Sequence, residues 1–471
     1  MKILSTAFCS MALCAGLSAG CSSGSSSEAN GPTINIGAVL DKTGSIASPS
    51  WTDAVNLAAK HANSGLESAG RSFRFRILSS DSNNTPSVAV ERAGELVRSQ
   101  EARAIITDSS QDDIAINALH YDADPNNDLN VPIVCMACSS PAINDPGSVD
   151  PTSASNEATL RNGLGWNFRT LMDTNAQARV AIRIWLGRGN NGDVNNDSQF
   201  KLGIFASDEA FGRGFAGALN TAAMSLHPSP PAVVETIYHP AKLDPNTYDF
   251  AGDVNKLTDL YNQSTMRNDF FPDVVMEVTF PQYAAAFLKS YLVAGQSVGL
   301  LHTHASRLAT ALRALGALLN NHEGTSHVIL DNGVSGELFA GEFKAASGVA
   351  PQFLDANTYD AAMSVMLAAL VASKDLPDPT ALTGKQLRDA LTQINSPTGA
   401  VIRTGPAEFA RAAVLIATGQ PINYEGASGP VDFDAHQNVQ NRIVHWRVEN
   451  QQFIDGEKYD CVASPSCPLI K

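Results

Sequence analysis

Ala104-Ile105-Ile106-Thr107 runs into Asp108-Ser109-Ser110-Gln111, and Val131-Pro132-Ile133-Val134 runs into Cys135-Met136-Ala137-Cys138-Ser139-Ser140-Pro141. These two units, side by side within residues 104–143, decide the fold. Each opens as a short apolar run, the pattern of a buried strand. Small hydroxyl residues follow, and these cap helices by accepting backbone N–H bonds. Two such strand ends together give convergent hydroxyls and free N–H groups, a cradle for a small anionic group such as a carboxylate. Taken alone, the serines read as caps and nothing more. The rest of the chain decides otherwise.

Upstream, residues 33–40 read as a strand, 51–62 as a helix, 73–78 as a strand ending at Asp81, and 88–99 as a helix. Beyond a polar stretch at 144–157, helices are expected at 176–186, 211–224, 253–261 and 282–293, and strands at 201–205, 232–238 and 273–278. Helices at 357–373 and 384–394 come next, and 430–433, 442–448 and Phe453 form a closing β region. Strict alternation of strand and helix argues an α/β protein, each sheet parallel and covered on both faces. Two similar lobes are implied, and no compositional linker divides them.

The chain has 471 residues, 44% hydrophobic and 17% charged, which suits two or more globular lobes. A net charge of −15 argues against a nucleic-acid partner, which needs a basic footprint. Met1-Lys2 followed by an apolar stretch to Leu17 fits a signal peptide over 1–20, too short to span a bilayer. Leu17-Ser18-Ala19-Gly20-Cys21 resembles the bacterial lipobox, with Cys21 the lipidation site, although Ser18 stands where an aliphatic residue is usual. Residues 21–33 then form a Ser/Gly-rich tether. Four cysteines remain, Cys135, Cys138, Cys461 and Cys467, and an even number in an oxidising compartment suggests two structural disulfides. Local pairing closes short loops; cross-pairing stays open. Redox or zinc chemistry fits less well, because the CxxC does not open a thioredoxin-like helix and the second pair has the wrong spacing.

The order of features resembles the type I periplasmic binding proteins, the branched-chain amino acid and amide receptors of ABC importers. The carriers are Ile36–Leu40 with Thr43-Gly44, Asp81 with Pro86 and Ala89, and residues 132–141. Ser207-Asp208-Glu209-Ala210-Phe211-Gly212-Arg213-Gly214, Tyr359-Asp360-Ala361-Ala362 and Gly429-Pro430-Val431-Asp432-Phe433-Asp434 complete the series. The resemblance implies two parallel-sheet lobes joined at a hinge around a ligand cleft. Lobe one would take 34–168 and 340–429, lobe two 169–339, with 430–471 closing onto lobe two. It also implies that Ala137, Cys138 and Ser139 hold a ligand carboxylate, with Ser110 and Gln111 in the neighbouring loop. Phe211 would line lobe two, Tyr359 the return into lobe one, and Trp51 a side wall.

This chain departs from the pattern where the family places a carboxylate against a ligand ammonium. The stretch here reads Leu301-His302-Thr303-His304-Ala305, and histidine supplies no fixed negative charge near neutral pH. His302 and Glu277 are the substitutes expected from the sequence.

Competing motifs fail on context. Gly187–Gly192 follows a helix, and Gly212–Gly217 stands six residues beyond its strand, where a dinucleotide turn is immediate. His322-Glu323-Gly324-Thr325-Ser326-His327 has one residue too many for a zinc-protease helix. The acidic runs at 122–128 and 193–197 lack the central Gly and final Glu of a calcium loop. The GxSxG strings at 16–20, 20–24 and 295–299 fall in the expected signal and tether or just after an expected helix, so none is a strand-to-helix nucleophile elbow. The expectation is therefore an exported, lipid-anchored solute-binding protein with no cofactor, metal or catalysis. Its partners would be a small amino acid, amide or carboxylate, the permease of an ABC importer, and the membrane through the lipid. A sensing lipoprotein of the same fold is the alternative, and an exported hydrolase the weaker third.

Overall fold

The computed structural model describes residues 31–120, 126–143, 165–227, 232–258, 272–294, 298–331 and 333–470. The expected signal peptide, Cys21, nearly all of the tether, and Asp122 and Asp124 of the first acidic run lie outside these residues.

The first sheet is five-stranded, in the order β2-β1-β3-β4-β5, and every pairing is parallel. Its strands are β1 (Thr33–Leu40), β2 (Arg74–Asp81), β3 (Ala102–Thr107), β4 (Ile133–Cys135) and β5 (Asn167–Arg169). Helices α1 (Pro49–Ser68), α2 (Pro86–Arg98) and α3 (Ser110–Ala118) connect the first of them. Each of α1 and α2 opens with a proline, whose missing N–H is no loss in a first turn. Because the strands are parallel, Leu40, Thr107 and Cys135 all reach one edge, where ligands of open α/β sheets bind.

The second sheet has seven strands in the order β14-β13-β10-β9-β8-β6-β7. β6 (Lys201–Asp208), β7 (Val233–Pro240), β8 (Val274–Val278), β9 (Gly299–His302) and β10 (Glu323–His327) are mutually parallel. β13 (Arg442–Glu449) and β14 (Gln452–Asp460) add an antiparallel edge. Around this sheet lie α4 (Thr174–Leu186), α5 (Ala210–Leu226), α6 (Phe250–Thr258), α7 (Pro281–Val293) and α8 (Ala309–Leu315). The strand pair β11 (Ala400–Ile402) and β12 (Ile422–Tyr424) forms a small separate sheet.

Four later helices follow: α9 (Val334–Ser347), α10 (Asp355–Ser373), α11 (Gly384–Leu391) and α12 (Pro406–Ala417). α9, α10 and α12 pack on α1, so this part of the chain returns to the first lobe. α10 is buried along almost its whole length, consistent with its unbroken Ala- and Met-rich sequence. The chain thus passes between the lobes after β5, after β10 and after β12. Asn357 donates to Thr170 O at 2.7 Å, Asp331 N to Ala427 O at 2.9 Å, and Met172 N to Asn441 Oδ1 at 2.9 Å, tying the passages together.

Several details differ from the sequence expectation. After β4 the described residues make a 3₁₀ turn at Pro141–Ile143. Residues 430–433, expected as a strand, form only a bridge at Pro430, since proline has no N–H for a ladder. Residues 323–327 are strand β10, which disposes of the metalloprotease motif: a Cβ on Gly324 would lie 2.4 Å from both His302 O and the Trp446 ring. α8, α9, α12, β5 and β9–β12 were not anticipated by the periodicity.

Candidate functional site

Between the two sheet edges lies a narrow chamber of about 40 Å³. The first lobe contributes Ile46, Trp51, Asp108, Ser109, Ser110 and Ala137, and later Phe353 and Leu354. The second contributes Glu209, Phe211, Phe280, His304, Ala305 and Leu308. Outside it, a groove of about 600 Å³ is lined by Ser45, Asn83, Asn84 and Gln111 on one side and Lys242, Gln282 and Tyr283 on the other. The cleft therefore has an aromatic interior and an amide-rich mouth.

Asp108 follows β3 directly and is buried. Its Oδ2 accepts the Asp41 N–H, while Oδ1 has no partner among the described residues. Burial, and then the neighbouring Asp112 and Asp41 carboxylates, push its carboxyl well above the usual range. Asp41 itself accepts Ile46 N at 2.9 Å, folding the turn after β1 over this end of the chamber. Ser109 caps α3 by accepting Asp112 N at 3.3 Å, and Ser110 Oγ accepts Ser140 N at 3.3 Å. Those two hydroxyls are engaged within the lobe. Asp112 and Asp113 stand in the first turn of α3, where their charge complements the helix N-terminus. Burial raises both to about 7.

On the opposite wall, Glu209 caps α5 by accepting Phe211 N and Gly212 N at 2.8 Å and the Ser207 hydroxyl at 2.6 Å. His304 is hydrogen-bonded through Nδ1 to Gln177 Oε1 at 2.7 Å, so Nδ1 carries the proton. Its Nε2 stands 3.4 Å from Ser139 Oγ, a contact that spans the cleft. Burial lowers His304 to about 3, leaving the ring neutral. The Phe211 ring meets it edge-on at 5.2 Å and stacks on Phe280 at 5.8 Å. A second spanning contact is Lys242 Nζ to Thr85 Oγ1 at 2.7 Å. Gly214 belongs to the same junction: a Cβ there would lie 2.7 Å from Ser140 Oγ.

Of the residues expected from sequence, the structure brings Trp51, Ser110, Ala137 and Phe211 together in the chamber. Gln111 faces the outer groove and donates to Asn84 Oδ1 at 2.9 Å. Ser139 reaches the cleft only through His304, and Cys138 is buried beneath it, bonded to Cys135. Cys461 pairs with Cys467. Asp113 lies within 4.8 Å of the Cys135 and Cys138 sulfurs, but disulfide sulfurs do not ligate as thiolates.

Three expected positions lie elsewhere. Glu277 and His302 form a buried pair at 2.9 Å within the second lobe, with Ser306 also donating to Glu277 at 2.5 Å, and neither lines the chamber. Tyr359 is buried against His61, its hydroxyl 2.8 Å from Nδ1, away from the cleft. α10 turns this side chain onto α1, where Phe339 also packs on it. Sequence reasoning missed Asp108, Glu209, Phe280 and Phe353, and considered His304 only together with His302 as a possible ligand contact. Asp108 was in plain view, two residues before Ser110.

A sequence profile of the periplasmic binding protein family matches residues 33–423. The chain belongs to this family. No match is found among curated protein sequences. Solved structures share its fold at low identity. The leucine-binding protein LivK of Thermotoga maritima aligns over 90% of this chain and 98% of its own, at 15% identity and a TM-score of 0.64. LivJ of Streptococcus pneumoniae, solved with isoleucine, covers 90% and 100% at 14% identity and a TM-score of 0.61. A solute-binding protein of an ABC transporter from R. palustris, solved with benzoate, covers 93% and 97% at 15% identity and a TM-score of 0.60. Like other periplasmic binding proteins, this one is built as two parallel-sheet lobes around a cleft. No described helix is long and apolar enough to cross a membrane.

Proposed function

We propose that this periplasmic binding protein is an extracytoplasmic lipoprotein that captures a small apolar-bodied solute and delivers it to an ABC importer by cleft closure. The observation that carries the reading is the chamber itself, walled from both lobes and bridged at Ser139–His304 and Lys242–Thr85. The chamber lies between the lobes, and the passages at 170–173, 328–331 and 425–441 are where the hinge would turn. In this scheme 34–169 and 334–424 move against 174–327 and 442–471, so that α9 travels whole with the first lobe instead of being divided at 339/340. Cys21 carries the lipid, the membrane permease reads the closed form, and no chemical step is required of the protein. The similar proteins that bind leucine, isoleucine or benzoate make amino acids and small carboxylates the first ligands to try.

The test is thermal unfolding of the mature chain against amino acids, amides, amines and aromatic acids. A ligand at 100 times its Kd stabilises the native state by about 2.7 kcal/mol, an easily measured rise in Tm. Scattering should show the same ligand compacting the particle. A ligand-stripped protein that gains stability from no member of the panel would overturn the binding role.

A further inference from the structure

The charged groups of the chamber are all of one kind. Asp108 and Glu209 line it, Asp41 and Asp112 stand behind Asp108, and no lysine or arginine is among the lining residues. Glu209 is saturated by three donors at the start of α5. Asp108 is not: it is 1% exposed, its Oδ1 has no donor among the described residues, and the residue itself lines the chamber. An unpaired buried carboxylate oxygen is costly, and a cation with N–H groups is what would satisfy it. The rest of the wall suits the same guest. Trp51, Phe211, Phe280 and Phe353 present aromatic surface, which attracts cations through its negative faces and covers an apolar body.

Recognition of a carboxylate is poorly served in the same space. Ser139 gives its proton to His304 Nε2, while the Ser110 hydroxyl, an acceptor from Ser140 N, and the buried Trp51 Nε1–H keep donors that carry no charge. His304 is neutral, and the N-terminus of α3 is already capped by Ser109. What reads as an anion cradle in the sequence carries an acid at its centre.

We propose that the ligand enters the chamber as a small cationic amine with an apolar body, its ammonium donating to Asp108 Oδ1 and enclosed by the Trp51, Phe211, Phe280 and Phe353 rings. The proposal rests on the binding role argued above and names its substrate class. Ammonium beside Oδ1 holds Asp108 ionised, reversing the effect of burial and of its acidic neighbours. The outer groove, with Asn83, Asn84, Gln111 and Gln282, leaves room for a polar tail.

The experiment uses matched probes on the full mature chain: benzylamine against benzoate, and isoamylamine against leucine, by calorimetry and thermal unfolding. The amines are expected to bind and their carboxylated counterparts to bind at least roughly 10-fold more weakly. Asp108→Asn should weaken amine binding roughly 100-fold, since it removes one member of a buried charge pair. Phe353→Leu, which leaves Asp108 and its contacts in place, should weaken the amines several-fold and serves if the first variant does not fold. Preference for benzoate or leucine would overturn the amine class while leaving the binding role intact. Benzoate binding that is lost in Asp108→Asn would show the carboxyl acting as a protonated donor, and would overturn it equally. Amine binding indifferent to Asp108→Asn overturns the assignment of the ammonium. If none of the four probes binds, the class falls, and the wider panel decides separately whether the binding role falls with it.

Discussion

The shifted groups of the two lobes are mostly of opposite kinds, although burial also raises Glu209 in the second lobe and lowers His61 and His120 in the first. The first lobe gathers carboxyl groups, Asp41, Asp108, Asp112, Asp113 and Asp355, all raised by burial. The second gathers imidazoles, His239, His304, His322 and His327, all lowered by burial. Both walls disfavour charge, yet they respond to pH with opposite sign. A native acid that holds its proton to about pH 7 makes the fold less stable as pH rises from about 4 toward 7. A native histidine that stays neutral makes the fold less stable as pH falls below about 6.5, the ordinary histidine value. The lesson is that one cleft can pair a proton-holding face with a proton-refusing one, and that the first face is the one a cation would switch.

The comparison can be broken most severely through Asp360, which anchors the first lobe at the third passage. Its carboxylate accepts from Tyr424 OH, Ala427 N, Ser428 N and Ser428 Oγ at 2.6–2.9 Å. Asp360→Ala leaves those buried donors unpaired and should cost about 3–5 kcal/mol, read by urea denaturation. Asp360→Asn should recover part of the loss. A cost below about 1 kcal/mol would mean water replaces the carboxylate.

Asp112 tests the acidic wall directly. Between pH 4.5 and 6.5 the unfolded chain has released this proton while the native one keeps it, so stability should fall by about 1.4 kcal/mol per pH unit on this account. Asp112→Asn should remove a slope on the order of 3 kcal/mol across that window. An unchanged pH profile would show that Asp112 is ionised in the native state, its charge balanced by Ser82, Ser109 and Lys242.

His304 tests the opposite wall with the opposite sign. Because its native pKa lies near 3, wild-type protein should lose about 2 kcal/mol between pH 7.5 and pH 5 through protonation of the unfolded histidine. His304→Leu should escape that loss, gaining about 2 kcal/mol relative to wild type on the same change of pH. No relative gain would mean that His304 titrates normally. The smallest effect is expected at the mouth. Lys242→Ala deletes a half-exposed contact to Thr85 and should change stability by less than about 1 kcal/mol, while speeding ligand release in stopped-flow measurements.

How much of this was legible in the sequence follows from how local each signal is. The parallel strands around residues 104–107 and 133–135 were readable because a run of Ile and Val between polar turns has few other meanings. α9 was not, because Gly336 and Gly341 interrupt its pattern, and β9 and β10 were obscured by histidines that look chemical but serve as packing. At the site, Trp51, Ser110, Ala137 and Phe211 could be matched position by position. The Glu277–His302 pair could not be distinguished from a ligand contact, since its burial depends on β8 and β9 lying side by side. Successive residues of a strand point to opposite faces, and which face meets the cleft is a tertiary fact. The unpaired state of Asp108 Oδ1 is equally invisible in sequence, because it is a property of everything that surrounds it.

The three passages also govern the order in which the molecule can be completed. The first sheet is finished at Arg169, yet the helices that cover α1 do not begin until Val334. The second sheet is likewise open at β10 until Arg442–Asp460 arrives as its antiparallel edge. A chain emerging from its N-terminus therefore exposes apolar sheet faces through most of its synthesis: the first lobe cannot close before its return ends at Tyr424, nor the second before Arg442–Asp460 is made. Truncations near residue 420 should leave both halves aggregation-prone together, whereas a protein of two sequential domains would lose only its second half.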